Sequence, residues 1–240
     1  MDIFLLDSCV AIARIKTDDD NHRKATDFLS SVPSSRCKLM STSYYETSRI
    51  LQKNNMDAIK PIKRAWNKVG RTRRVNLSEI PTPELIDEVI EEAYSLAGMR
   101  HEAFYSDIST FMKENARKGQ NPFEILSIIV DNLVSRDVSN LKMFFDIEDP
   151  SSDCMGCRPT EVPAFVEMKE RLSSKYQFFE NKKNSSDLKI AAEFLVLSQR
   201  EDLDRIILVT TDRPLYDALV DIELNELGLD PSKIGFKNID

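Results

Sequence analysis

Four acidic residues lie beside short apolar segments of the sequence in a pattern that suits metal binding. Asp7 directly follows the apolar run IFLL, and Asp212 ends RIILVTTD. Glu46 lies in STSYYETSRIL and Asp187 in SSDLKIAAEF, where helices are predicted to begin. Carboxylate oxygens are the ligands that Mg²⁺ and Mn²⁺ prefer, whereas zinc prefers sulfur and nitrogen. The four residues therefore predict a Mg²⁺ or Mn²⁺ site if the fold brings them together.

The segments that end at Asp7 and Asp212 are each typical of a buried parallel strand. In open α/β sheets, ligands bind at the carboxyl ends of the strands. If the two strands are neighbours, both carboxylates face one crevice. Carboxylates about 5 Å apart repel one another by roughly 3 kcal/mol per pair at an effective dielectric constant near 20. A divalent cation would relieve this repulsion.

Each of these acids also has a purely structural alternative. Aspartates at strand ends often cap helices or lie in turns. Ser43 and Glu46 have the spacing of a capping box, and Asp187 follows two serines where a helix is predicted to start. A capping role for Asp187 is compatible with metal binding.

The composition indicates a soluble protein in which helices dominate. Of the 240 residues, 41% are hydrophobic, 30% are charged and only 6 are glycine, which excludes collagen-like and low-complexity classes. No segment approaches the roughly 18 consecutive apolar residues of a membrane span, and the first residues lack a basic leader. We therefore expect a cytoplasmic protein that does not bind a membrane.

The cysteines give no disulfide framework. Cys9 and Cys37 are isolated, while Cys154 and Cys157 form a single CxxC, which is half of a zinc knuckle or a possible redox pair. Structural zinc normally needs four ligands, and no second CxxC follows. Free thiols are therefore expected, unless a second copy of the chain supplies the missing ligands.

Helical and strand patterns alternate at both ends of the chain. Helices are predicted from Ser8 and His22, and strands at CKLM and RRVNL, before the helix PTPELIDEVIEEAYSLAG. Residues 99–182 show only helical patterns, and alternation returns from 183, ending in a possible edge strand, KIGFKNI. We predict an α/β domain with a parallel sheet, formed by 1–98 and 183–240, and an all-helical insertion at 99–182.

A basic segment lies between residues 53 and 74, where Asp57 is the only acid. It could bind the phosphate backbone of a nucleic acid, although the net charge of −7 argues against a surface that is basic all round. Trp66 could stack on an unpaired base, or it could form a buried helical stripe with Ile59, Ile62 and Val69. The candidate nucleic-acid-binding residues are Lys60, Lys63, Arg64, Lys68, Arg71, Arg73 and Arg74.

The order of elements and acids resembles the PIN-domain family of metal-dependent ribonucleases, whose toxin members act with antitoxins. The matching segments are FLLDSCVAI, STSYYETSRIL, SSDLKIAAEFL and ILVTTDRPL, within roughly 1–98 and 183–225. The resemblance implies a PIN-like parallel sheet flanked by helices and a catalytic set of Asp7, Glu46, Asp187 and Asp212. Of these, it implies that Asp7, Asp187 and Asp212 hold Mg²⁺ or Mn²⁺. Thr211 and Asp217 are expected to support the site.

The function that this resemblance implies is hydrolysis of RNA phosphodiester bonds by a carboxylate-bound metal. The expected partners are single-stranded RNA, an antitoxin or other protein, and a second copy of the chain. The alternative is a PIN-like scaffold without catalytic activity, in which the helical insertion binds RNA or protein. Phosphatase chemistry of the haloacid-dehalogenase type is disfavoured, because Cys9 stands where a second aspartate would be needed.

Overall fold

A parallel β-sheet organises the fold. The computed structural model describes residues 2–16, 19–76, 78–97, 102–145 and 163–240. All pairings in its four-stranded sheet are parallel, and the strand order is β2-β1-β3-β4. The strands are β1 (Asp2–Leu6), β2 (Cys37–Leu39), β3 (Arg205–Thr210) and β4 (Ile234–Asn238). The predicted α/β class with a parallel sheet is confirmed, and KIGFKNI supplies the edge strand β4.

Helices make up the connections between the strands. In the described residues, two α-helices join β1 to β2, a long series joins β2 to β3, and one α-helix joins β3 to β4. In chain order they are α1 (Ser8–Ile15), α2 (His22–Ser31), α3 (Ser41–Arg73), α4 (Pro83–Leu96), α5 (Glu102–Arg117), α6 (Pro122–Phe145), α7 (Pro163–Lys175), α8 (Gln177–Glu180), α9 (Ser185–Leu197) and α10 (Arg213–Val220). Among the helices that the structure describes, none has the length and apolar character of a bilayer span.

Strands β1 and β3 are direct neighbours. Leu6 pairs with Val209, and the Asp7 N–H continues the ladder by donating to the Val209 carbonyl at 3.0 Å. Because the strands are parallel, both chains leave the sheet at the same edge. Strands β1 and β3 therefore have the adjacency that is needed for Asp7 and Asp212 to face one crevice.

The predicted strand RRVNL is wrong over its described residues. Helix α3 continues through Arg73, and Arg74 then adopts a left-handed conformation with φ of 56°. The Val75 N–H donates to the Gly70 carbonyl at 3.0 Å, the six-to-one bond of a Schellman helix end. Val75 therefore belongs to a helix terminus, whose local hydrogen bonds leave no strand at this residue.

The chain packs as two compact units that differ from the predicted division. The first contains residues 1–49 and 138–240, including the whole sheet, and the second contains residues 50–137. The division falls inside the continuous helix α3, where no proline-marked or glycine-marked linker could signal it. Helix α7, predicted within the insertion, packs through Phe165, Met168 and Leu172 into the core of the first unit.

Each unit has its own apolar core. In the first, Leu5 and Leu208 of the sheet pack with Phe194 of α9. In the second, Trp66 is only 2% exposed and packs with Ile62 and with residues of α4, α5 and α6. The buried-stripe interpretation of Trp66 is therefore confirmed, and stacking of its indole on a base is not compatible with this burial. Cys154 and Cys157 lie outside the described residues.

Candidate functional site

Asp7 stands at the carboxyl end of β1, where its carboxylate is almost fully buried. It is 3% exposed, and it caps α1 by accepting a hydrogen bond from the Ser8 N–H. Its second oxygen, Oδ2, accepts from Thr210 Oγ1 at 2.8 Å and from the Cys9 thiol at 2.9 Å. Burial raises the pKa of Asp7, as does the charge of Glu46, while these hydrogen bonds act in the opposite direction.

Asp212 stands at the same edge, two residues after β3. Its Oδ1 caps α10 by accepting from the Leu215 N–H at 2.9 Å. Its own N–H donates to Thr210 Oγ1 at 2.9 Å. The Thr210 hydroxyl therefore joins the two strand-end aspartates, because it also donates to Asp7. The predicted capping alternative is realised at both aspartates, and it uses only part of each carboxylate's capacity as an acceptor.

Glu46 does not act as a cap. Helix α3 already begins at Ser41, so Ser43 lies inside the helix, where its buried hydroxyl has no partner among the described residues. The Glu46 carboxylate instead accepts from Ser8 Oγ at 2.8 Å through Oε2. Because Ser8 is adjacent to Asp7, this bond holds the helix that carries Glu46 against the end of β1. The capping-box alternative is therefore wrong.

Asp187 lies in the first turn of α9, the helix that leads into β3. Because α9 runs back across the sheet toward the start of β3, its N-terminus lies at the carboxyl edge of the strands. Burial is the largest cause that raises the Asp187 pKa, to about 7, followed by the negative charges of Asp212, Asp7 and Glu46. These four residues, hereafter the acid cluster, therefore act electrostatically on one another.

The donor set of the acid cluster fits Mg²⁺ or Mn²⁺. All four side chains offer carboxylate oxygens, and no basic side chain in the described part of the protein lowers the Asp187 pKa. In the described part of the chain, however, no three His, Cys, Asp or Glu side chains are arranged as a group that could hold a metal ion. Mg²⁺ is commonly held by one or two carboxylates with waters and substrate phosphates. The arrangement fits such an open site and does not form a closed cage.

The predicted supporting residues occupy different positions. Thr211 contacts the site through its backbone N–H, which donates to Cys9 Sγ at 3.2 Å. Asp217 is exposed on α10 and accepts from Arg213 Nε at 2.8 Å. It is not among the charges that act on Asp7 or Asp187.

Two site residues were missed by the sequence analysis. Thr210 is 1% exposed and supplies the hydroxyl that joins Asp7 to Asp212. The Cys9 thiol contacts both Asp7 and Thr210, and burial beside the Asp7 charge raises its pKa, so it remains a protonated donor. The TTD sequence contains the hydroxyls of Thr210 and Thr211. Because side chains alternate along a strand, only one of the two can point into the site.

The basic residues predicted to bind nucleic acid lie in the second unit, and all seven are exposed. Lys60, Lys68 and Arg73 form ion pairs with Asp57, Glu92 and Glu88, at 2.6, 2.7 and 3.0 Å. The other four have no acidic partner among the described residues: Lys63, Arg64, Arg71 and Arg74. At helical spacing, Arg64 and Arg71 fall on the face of α3 opposite the Trp66 stripe, and Lys63 falls to one side of it.

Comparisons of the chain with models of protein families, with curated proteins and with solved structures gave no match. The function is therefore inferred from the acid cluster and from the exposed cations of α3.

Proposed function

We propose that the protein is a metal-dependent ribonuclease of PIN-like architecture. The observation that carries this proposal is the acid cluster, in which four elements bring carboxylates to one edge of a parallel sheet, without a basic partner among the described residues. Burial raises the pKa of Asp187 to about 7, and electrostatic opposition from Asp212, Asp7 and Glu46 adds to this effect. A bound Mg²⁺ or Mn²⁺ would remove that opposition and would stabilise negative charge on a phosphoryl group during hydrolysis.

The chain's own groups divide the remaining work. Asp7, Asp187 and Asp212 would hold the cation, with Thr210 orienting Asp7 through its 2.8 Å hydrogen bond. Glu46 binds Ser8 through Oε2, so Oε1 remains available to orient the attacking water and to accept its proton. The Cys9 thiol donates to Asp7 Oδ2 and fixes the plane of that carboxylate.

RNA is the proposed substrate because cations on α3 complement its phosphates. Lys63, Arg64 and Arg71 are exposed and lack an acidic partner among the described residues, so no local charge cancels them. Each contact with a phosphate releases counterions, and this makes binding sensitive to salt. Single strands are favoured because their backbone can follow a short cationic helix face.

The decisive experiment is cleavage of labelled single-stranded RNA with Mn²⁺ or Mg²⁺, with EDTA as the metal-free condition. Wild-type protein should cleave only with metal, and Asp187→Asn should lower the rate on the order of 10²-fold or more. Asp27→Asn is the matched control, since Asp27 lies in the first unit with its side chain 72% exposed. Cleavage that persists in EDTA, or that is unchanged in Asp187→Asn, would contradict the proposal.

A binding scaffold is the second candidate function. It is favoured by the absence, within the described residues, of a group arranged to hold a metal, and by the independent core of the helical unit. A scaffold would bind RNA with the same affinity in EDTA and in Mn²⁺ and would leave it intact. Metal-dependent cleavage by the wild type would exclude this alternative.

A further inference from the structure

Glu193 is a buried carboxylate for which the proposed chemistry has no use. It lies on α9, is 5% exposed, and stands between Ala192 and Phe194, which are both fully buried. A carboxylate in such surroundings must be hydrogen-bonded, because burial removes its hydration. Its partners therefore indicate its role.

Its hydrogen-bond partners among the residues that the structure describes all belong to the start of α3. Glu193 Oε1 accepts from the Ser41 N–H at 3.1 Å and from Ser41 Oγ at 2.6 Å. Glu193 Oε2 accepts from the Thr42 N–H at 2.8 Å. These N–H groups have no partner within α3, because the first turn of a helix leaves its donors unpaired. The preceding residue, Met40, has no oxygen in its side chain and cannot cap the helix.

Glu193 therefore caps α3 from another helix. A negative charge at this position also complements the positive end of the helix dipole. These hydrogen bonds connect α9 and α3, which both carry acids of the cluster. Asp187 lies in the first turn of α9, and Glu46 follows Ser41 by five residues on α3. At about 1.5 Å per residue, Glu46 lies some 7 Å along α3 from the cap.

We propose that Glu193 is a positioning residue that sets the place of Glu46 in the acid cluster. By fixing the start of α3 against α9, it brings the Glu46 carboxylate within 2.8 Å of Ser8 Oγ, beside Asp7. This inference rests on the proposed function for its catalytic consequence. Its structural content, the dependence of the Glu46–Ser8 contact on Glu193, does not require activity.

Glu193→Gln is the most informative variant. Glutamine keeps the shape but has one acceptor oxygen, so its NH₂ group faces either Ser41 or Thr42 and cannot accept from it. Thr82→Ala is the matched control, because it removes the cap of α4, whose Leu85 N–H donates to Thr82 Oγ1 at 3.3 Å in the other unit. Ser41→Ala removes only one of the three bonds and serves if the glutamine variant does not fold.

The first measurement is a crystal structure of Glu193→Gln, with amide hydrogen exchange of residues 41–50. The Glu46–Ser8 contact should be lost, and exchange in the first turns of α3 should rise about tenfold or more. Ser41→Ala should change exchange in the same direction but less, and Thr82→Ala should leave it unchanged. A Glu46–Ser8 distance that stays at 2.8 Å in Glu193→Gln overturns the proposal, whether or not the protein cleaves RNA.

The second measurement is a double-mutant cycle with Glu46→Gln on RNA cleavage. Glu193→Gln alone should raise the half-saturating Mn²⁺ concentration by about 10-fold to 100-fold. In the Glu46→Gln background, Glu193→Gln should raise the half-saturating Mn²⁺ concentration little further, because its effect depends on the Glu46 carboxylate. Full additivity overturns the positioning role. An inactive wild type overturns the ribonuclease proposal and leaves the crystallographic test of Glu193 decisive.

Discussion

Replacing Asp187 by asparagine should stabilise the metal-free protein at neutral and alkaline pH. The Asp187 carboxylate is partly buried, and burial is the largest cause that raises its pKa to about 7, followed by the charges of Asp212, Asp7 and Glu46. Asparagine keeps the shape of the side chain and removes the charge. The variant therefore loses the repulsion that ionised Asp187 experiences in the folded state.

The sign and size of the stability change follow from the pKa of Asp187 in the folded and unfolded states. The unfolded chain loses the Asp187 proton near pH 3.8, whereas the folded protein keeps it up to a pH of about 7. Stability of the metal-free wild type therefore falls as the pH rises through this window, and the loss is complete above it. The difference corresponds to about 4 kcal/mol at about 1.36 kcal/mol per pH unit, and residual solvent screening reduces it to about 2 to 4 kcal/mol.

The assay is urea unfolding in EDTA between pH 4 and pH 8, followed by far-UV circular dichroism. Fluorescence of Trp66 is unsuitable as the main signal, because this residue reports the second unit and not the unit that holds Asp187. Hydrogen exchange in β1 and β3 assigns the transition to the sheet. Asp27→Asn is the control, since its exposed pair with Arg23, at 3.8 Å, should change stability by about 0.5 kcal/mol or less.

At pH 8 the Asp187→Asn variant should be more stable than the wild type by the amount derived above, and near pH 4 the two should be equal. Adding Mn²⁺ should stabilise the wild type and leave the variant almost unchanged, because a ligand stabilises only the state that binds it. If Asp187→Asn is no more stable than the wild type at pH 8, the four carboxylates do not oppose one another in the folded protein. The basis for a metal site would then be lost.

Three further predictions follow from the same contacts. Mn²⁺ affinity measured by calorimetry should be about tenfold weaker at pH 6 than at pH 8, because metal must displace the Asp187 proton; a flat profile would contradict the assigned pKa. Thr210→Val should weaken Mn²⁺ binding by about 10-fold to 100-fold while Thr211→Val leaves it unchanged, and equal losses would remove the special role of Thr210. Arg64→Ala should lower the slope of log K against log salt concentration for RNA binding by about 0.7, whereas Arg73→Ala should change it little, because Arg73 is ion-paired with Glu88. Equal changes in the two variants would contradict RNA binding by the unpaired cations of α3.

The strand-end acids were predictable from the sequence because their positions depend on local rules. An apolar run ending in an acid indicates a buried parallel strand and its carboxyl edge, and β1 and β3 confirm both Asp7 and Asp212 at that edge. The start of α9 at Ser185 could likewise be predicted from its serines and the apolar helix that follows. These features need only the periodicity of neighbouring residues.

The remaining features depend on contacts between residues distant in sequence. Capping-box spacing at Ser43 and Glu46 could not reveal that α3 starts two residues earlier, because the cap comes from Glu193, about 150 residues away. The unit boundary inside α3 has no local signal, since the helix continues while its packing partners change. The sequence pattern of α7 predicts a helix of the insertion, because an amphipathic pattern does not identify the core that the helix joins.

The capping roles of Asp7 and Asp212 strengthen the case for a cation. Asparagine and serine cap helices about as well as aspartate, so capping alone does not require a charge at either position. Carboxyl groups nevertheless occupy both positions, near Asp187, whose pKa is raised to about 7 by burial and then by the charges of Asp212, Asp7 and Glu46. At Asp212, asparagine would keep the cap of α10 and remove a negative charge that acts on Asp187, so stability alone favours the neutral side chain there. The proposed divalent cation at the carboxyl edge of the sheet would account for the acid at this position.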